Sequence, residues 1–171
     1  MTDHPSVHNT QDGTPPVTDR CYDMDPATLS RVTVPAYDYA DRFALVAADA
    51  EAIGTPEGWA RAALRDAAGS KGQIIWRGLL GLRLARESAP GQIAGWEIAD
   101  HGAGWVTLAA RSWLITGNLV VEVDAGGVSL STFVHYERRI GAIVWKWAAP
   151  GHRRFAPELL TAARRILLAH S

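Results

Sequence analysis

Between Ile93 and Arg138 apolar and polar residues alternate with a period of two, and the interruptions carry glycine. That pattern constrains the fold more than any other feature. Ile93–Ala99, Trp105–Leu114, Leu119–Asp124 and Val128–Glu137 are predicted strands. Asp100–Gly104, Thr116-Gly117-Asn118 and Asp124–Gly127 are the expected turns between them. Strands this close in sequence, joined by short glycine turns, form an antiparallel meander. Such a sheet must cover its apolar face with another element.

The flanking segments supply the cover. Thr55-Pro56-Glu57 is a helix start: a capping hydroxyl, proline at the first helical position and an acid at the positive end of the dipole. Trp59, Ala63 and Ala67 form one row of that helix, which runs to about Ala68 and stops at Gly69–Gly72. A second helix is expected from Gln73 to about Leu80, followed by extended chain. Before them, Val32 to Val46 reads as extended, interrupted by a polar turn at Tyr37–Asp41. After the meander, Leu159, Leu160, Ala163, Ile166 and Leu167 make the apolar stripe of a closing helix. Pro150 and Pro157 argue against one unbroken helix there. The fold class is α+β: an antiparallel sheet, two N-terminal helices and a C-terminal helix.

With 171 residues, the chain allows one domain plus a tail. Residues 1–31, polar and rich in proline and glycine, are expected to be a disordered tail, and 32–171 a single domain. His4, His8 and Cys21 fall in the tail and are read as incidental. The single cysteine excludes a disulfide framework and a cysteine-built zinc site. No metal or cofactor is expected. Seventeen basic against 18 acidic residues argues against nucleic-acid binding through bulk phosphate neutralisation. No apolar run approaches the roughly 18 residues of a membrane span. The opening MTDHPSVHNTQDGTPP has neither the basic start nor the apolar stretch of a secretory signal. A cytoplasmic protein without stable membrane insertion is expected, with a homodimer left open.

Catalytic signatures are absent. There is no Gly-x-Ser-x-Gly elbow, and Gly102-Ala103-Gly104 precedes a strand, so it is a hairpin turn and not a dinucleotide loop. Glu122, between Val121 and Val123, is expected to face outward. His135 is a candidate acid, base or hydrogen-bond donor if it faces inward with Phe133. His152 sits at a bend before Arg153 and Arg154, and Arg111 either points outward or serves as a cavity's cation for a ligand carboxylate. Five of the seven tryptophans (Trp96, Trp105, Trp113, Trp145 and Trp147) fall in the meander and the segment after it.

Gly95-Trp96-Glu97-Ile98, Ser112-Trp113, Ser131–Tyr136, Val144–Trp147 and Pro150–Arg154 together resemble a domain-of-unknown-function branch of the START-like, polyketide-cyclase-like (SRPBCC, helix-grip) superfamily. The resemblance runs from about Ala36 to the C-terminus. It implies a curved antiparallel sheet gripping a C-terminal helix around an apolar cavity. Members carry lipids, hormones or polyketides, and some are cyclases or hydratases. On this reading Trp96, Arg111, Trp113, Phe133, His135, Trp145, Trp147 and His152 converge on the inner surface as a binding site for an apolar or amphipathic small molecule. A cyclase- or hydratase-type enzyme using the same cavity is the alternative, and a non-catalytic interaction domain with a packed core is the third.

Overall fold

In the computed structural model, which describes residues 17–18, 24–86 and 90–170, the chain is α+β. It enters through β1 (Val17–Thr18), α1 (Pro26–Ser30) and β2 (Tyr39–Val46). A helical arm follows: α2 (Ala50–Ile53), α3 (Pro56–Arg61) and α4 (Gly69–Gln73). Helices α3 and α4 run on into wider π-helical turns, Ala62–Ala67 and Ile74–Leu79. The meander is β3 (Gln92–Ile93), β4 (Trp96–Gly102), β5 (Trp105–Arg111), β6 (Ile115–Asp124) and β7 (Gly127–Tyr136), and α5 (Arg139–His170) closes the fold. Strand order is β1-β2-β7-β6-β5-β4-β3, with every pairing antiparallel. His4, His8 and Cys21 lie outside the described residues. Among those residues no helix is long and apolar enough to cross a membrane.

Several boundaries differ from the sequence reading for identifiable reasons. Ala94 and Gly95, both at positive φ, make a tight turn that splits the expected Ile93–Ala99 strand into β3 and β4. The next hairpin loop shortens to Ala103-Gly104, because Asp100–Gly102 continue β4. Thr116-Gly117-Asn118 is no turn. It lies inside β6, and the reversal falls at Ser112–Leu114, where Ser112 Oγ accepts the amides of Leu114 and Ile115. The Trp96 ring lies over Gly117, 3.4 Å from where a Cβ would stand, an ordinary contact distance. Asn118 is fully buried, and its Oδ1 accepts the amides of Thr33 (2.8 Å) and Val34 (3.0 Å). Tyr39–Asp41, expected as a turn, belong to β2. The helix from Thr55, whose hydroxyl accepts the Gly58 amide, ends where Gly69 takes a left-handed conformation. Ser70–Gly72 then join α4 and do not form a loop.

Helix α5 continues through Pro150 and Pro157. Each proline forfeits a backbone bond and costs about 3 kcal/mol in a helix interior. Packing on both sides holds the axis: Trp145 and Ala149 are buried before Pro150, and Ala156, Leu159, Leu160 and Ala163 beyond it.

The two sheet faces have different covers. Leu108, Leu119, Val121, Leu130 and Val134 belong to the inner core, against which the helical arm and α5 pack. The outer face lies under residues 24–38, part of which was assigned to the tail. Thr28 Oγ1 donates to Glu122 Oε2 (2.9 Å), Arg31 pairs with Glu122 and stacks over Trp105, and Tyr37 meets Phe133 edge-on. Glu122 is therefore not solvent-facing. Alternation separates it from Val121 and Val123, but a strap of chain covers its face as well. These anchors join residues about 90 positions apart, which composition could not show.

Two substitutions test the layers. Leu160→Ala should cost about 2–5 kcal/mol in urea unfolding, whereas the half-exposed Leu168→Ala should cost less than about 0.5 kcal/mol. Asn118→Ala should cost about 1–3 kcal/mol, because it leaves the strap amides of Thr33 and Val34 without their acceptor.

Candidate functional site

Register decides which side chains can share a site. On β7, Leu130, Thr132 and Val134 face inward, so Ser131, Phe133 and His135 face outward. On β6 the inward set is Ile115, Gly117 and Leu119. Inward residues of the two strands stand opposite each other, as in Gly117 with Val134 and Leu119 with Thr132.

A cavity of about 240 Å³ lies between this inner face, the π-helical turn Ile74–Leu79 and α5. The sheet contributes Trp96, Leu119, Leu130 and Val134 to its wall, and the turn contributes Ile75, Trp76 and Leu79. Trp76 and Trp96 meet at right angles, with ring centroids 5.8 Å apart. A π-helical turn widens the backbone, and such turns recur at functional sites. Here the widened turn presents three apolar side chains to one hollow. From α5 come Trp145, Trp147, His152, Phe155 and Leu159.

The wall carries no lysine or arginine. Its polarity is concentrated around His152. Asp41, on the inward face of β2 opposite Thr132, is buried, and a buried carboxylate needs donors. It has two: Tyr39 OH donates to Oδ2 at 2.5 Å, and His152 Nε2 lies 3.1 Å from Oδ2 and 3.2 Å from Oδ1. Burial first, then the bond and charge of Asp41, push the Tyr39 phenol well above the ordinary tyrosine range, against an opposing pull from Arg153. The phenol thus stays a donor. With Nε2 donating to Asp41, His152 Nδ1 is left without a hydrogen-bond partner among the described residues. The His152 ring packs against Trp145 at 5.4 Å and Phe43 at 6.2 Å between centroids.

Three further polar atoms of wall residues are buried without a partner: Trp96 Nε1, Trp145 Nε1 and Thr132 Oγ1. Most buried polar atoms in proteins are satisfied; among the described residues four more lack a hydrogen-bond partner, Arg42 Nε, Gln92 Oε1, Ser131 Oγ and His135 Nδ1, and none of these residues lines the cavity.

Of the eight candidate residues, the structure brings Trp96, Trp145, Trp147 and His152 together at the cavity and places the other four elsewhere. Trp113 is exposed in the Ser112–Leu114 turn, beside Gly81. Arg111 is exposed on the outer face, its Nε donating to Thr116 Oγ1 and standing 3.7 Å from Glu137. Phe133 is buried on that face under Tyr37. His135 Nδ1 lies 3.0 Å from Asp38 Oδ2 without the alignment of a hydrogen bond, also away from the cavity. Phe133 and His135 do share one face, but it is the face of Ser129 and Ser131; the more apolar row of Val128, Leu130 and Val134 turns inward, and the aromatic ring of Phe133 misassigned the faces. Tyr39, Asp41, Thr132 and Trp76 were missed. The signal existed in Tyr39-x-Asp41-x-Phe43-x-Leu45, whose alternation places a carboxylate in an apolar row.

Comparisons with protein-family models, curated proteins and solved structures give no match.

The raised Tyr39 ionisation has a calculable consequence. The unfolded phenol ionises near pH 10 while the folded one keeps its proton, so unfolding releases a proton in that range. The stabilisation is complete below about pH 10 and falls as pH rises beyond it. Urea midpoints measured across that range should fall for the wild type, and the fall should be shallower in Tyr39→Phe.

Proposed function

We propose that the protein binds an amphipathic small molecule, lipid- or polyketide-like, in the cavity between the sheet and α5. The observation that carries this reading is the coincidence of an apolar wall with unpartnered polar atoms and a histidine held by a buried carboxylate. Aromatic and aliphatic walls with few polar groups are the usual make-up of a small-molecule site. Trp96 Nε1, Trp145 Nε1 and Thr132 Oγ1 are donors of wall residues buried without an acceptor, and a ligand that reached them on a small shift of the wall would offer acceptor oxygens. No lysine or arginine lines the wall, which favours carbonyl, hydroxyl or ester oxygens over a free carboxylate. At about 240 Å³ the hollow is smaller than the ~300–1,000 Å³ of typical ligand pockets. Its ligand is therefore small, or extends through the mouth beside Trp147. The START-like, helix-grip architecture belongs to the same reading, supported by the C-terminal helix packed on an antiparallel sheet with the hollow between them.

The polar end also supports a second reading, a cyclase- or hydratase-type enzyme. Asp41 fixes the tautomer of His152 that leaves Nδ1 as a base beside an apolar site. Turnover separates the two readings: a carrier shows none in the wild type, whereas an enzyme loses it in His152→Gln while binding persists.

Medium-chain methyl ketones and fatty alcohols should quench tryptophan fluorescence saturably. Ala148→Trp, in the cavity wall, should abolish the quenching, and Trp113→Phe, outside that wall, should leave the affinity unchanged. Absence of saturable binding at millimolar probe, or equal binding by Ala148→Trp, would overturn the assignment of the cavity as the site.

A further inference from the structure

Exposed apolar side chains are not scattered evenly over this protein. Of the eleven large ones exposed among the described residues, seven lie where the Ile74–Leu79 turn, the Ser112–Leu114 turn and the start of α5 meet. The most exposed are Trp147 at 81%, Ile74 at 70% and Ile143 at 58%. Three observations bring these segments to one region. Ile75, Leu79 and Trp147 all line the same cavity. Trp113 stands beside Gly81, just past the π-helical turn, and Gly141 packs against the Leu114 carbonyl, which brings the first turn of α5 to the same place. Ile140, Ile143 and Trp147, at i, i+3 and i+7, share the solvent side of α5.

Charge is polarised in the same region. Residues 69–86 contain Lys71, Arg77, Arg83 and Arg86 and no acid. Residues 138–155 contain Arg138, Arg139, Lys146, Arg153 and Arg154, again with no acid. These two segments hold nine of the chain's 17 lysines and arginines and none of its 18 carboxylates, although the whole chain carries a net charge of -1. None of the nine forms an ion pair among the described residues.

We propose that this rim is a docking surface for an anionic lipid bilayer, lying against the headgroups around the mouth of the cavity. A contiguous exposed apolar patch marks an interaction site. Tryptophan and aliphatic residues ringed by cations fit the boundary between headgroup and acyl chain, where indole is enriched and anionic lipid attracts each nearby lysine or arginine. A second copy of the chain is the poorer occupant. A two-fold interface brings the same patch against itself and would set the cations of these two acid-free segments against their own copies. Nucleic acid does not account for exposed isoleucine and leucine. Docking here lets a poorly soluble ligand pass between bilayer and cavity without crossing water. That consequence rests on the binding function proposed above, but the docking surface itself does not.

The full-length protein is floated with vesicles of equimolar phosphatidylcholine and phosphatidylglycerol, and with pure phosphatidylcholine vesicles. It should float with the anionic vesicles only, and high salt should release it. Each of Lys146→Glu and Arg154→Glu should weaken binding by at least about five-fold. Trp147→Glu should abolish it, while Val46→Ser, an exposed apolar site on the β2 edge of the fold, should leave it unchanged. Circular dichroism shows that each variant is folded. Probe quenching with Lys146→Glu and Arg154→Glu, neither of which lines the cavity, reports on the cavity separately, so failure of docking and failure of ligand binding are distinguishable. Absence of flotation with anionic vesicles overturns the proposal, as does equal binding to both vesicle types. A concentration-dependent dimer abolished by Trp147→Glu, without vesicle binding, assigns the patch to self-association and also overturns it.

Discussion

Strand β7 pairs with β2 on one side and β6 on the other, so the middle of the sheet has no edge and is buried on both faces. Nine of the ten residues of β6 are buried. Asn118, Glu122, Ser129 and Ser131 are among the central residues that face outward, and polar groups covered in this way need partners. The chain before β2 supplies most of them, through Thr28, Arg31, Thr33 and Val34, while Arg42 of β2 adds bonds to Ser129 and Glu122. The strap fixes how the chain enters β2. Register then places Asp41 on the inward face, opposite Thr132. A carboxylate in that position requires donors, and Tyr39 and His152 provide them. The cavity's polar end therefore follows from central pairing that buries polar residues on both sides.

Much of this layout was legible in the sequence, and what was not legible follows a physical pattern. The meander, the capped helix start at Thr55 and the Asp124–Gly127 turn are local: a capping hydroxyl, an Asp124 carboxylate taking the amides of Gly126 and Gly127, a period of two. Gly117-Asn118 carries the same local signal as a turn and is none, because both residues answer to distant partners, the Trp96 ring and the strap amides. Glu122 and His135 failed for a related reason. Period-two alternation separates the faces of a strand but does not say which face turns inward, or that the other face is covered too. In the candidate site, the four tryptophans singled out divide between cavity and surface. Trp96, Trp145 and Trp147 line the hollow, while Trp113 belongs to the exposed rim. Asp41 was hidden by its neighbours Tyr37–Ala40, which looked like a polar turn.

Helix α5 serves three surfaces at once, and its composition reflects all three. One row, Trp145, Ala149, Ala156, Leu160 and Ala163, is buried and holds the axis across two prolines. A second, with Ala148, His152 and Phe155, lines the cavity. The third, Ile140, Ile143 and Trp147, faces solvent where an ordinary surface helix would be polar. The buried row alone explains stability. Exposed apolar residues beside Arg139, Lys146 and Arg154 add nothing to the core, so their placement bears on what the helix meets outside the domain.

The unpartnered groups in the cavity wall lead to the same conclusion from inside. A buried donor without an acceptor costs about 1–3 kcal/mol, and valine at Thr132 would remove the cost at little change in shape. Thr132 stands opposite Asp41, and Trp145 packs on His152, so two of these groups surround the one ordered polar cluster in the hollow. A wall tuned only for stability would be apolar there, since natural sequences depart from local consistency chiefly at functional positions. Asp41 and Tyr39 act in the same sense. They do not reduce the polarity of the cavity but hold His152 in one orientation within it, with Nδ1 unbonded. The fold thus spends stability on a fixed polar end inside an apolar hollow, and a bound molecule whose own oxygens take those donors would recover it.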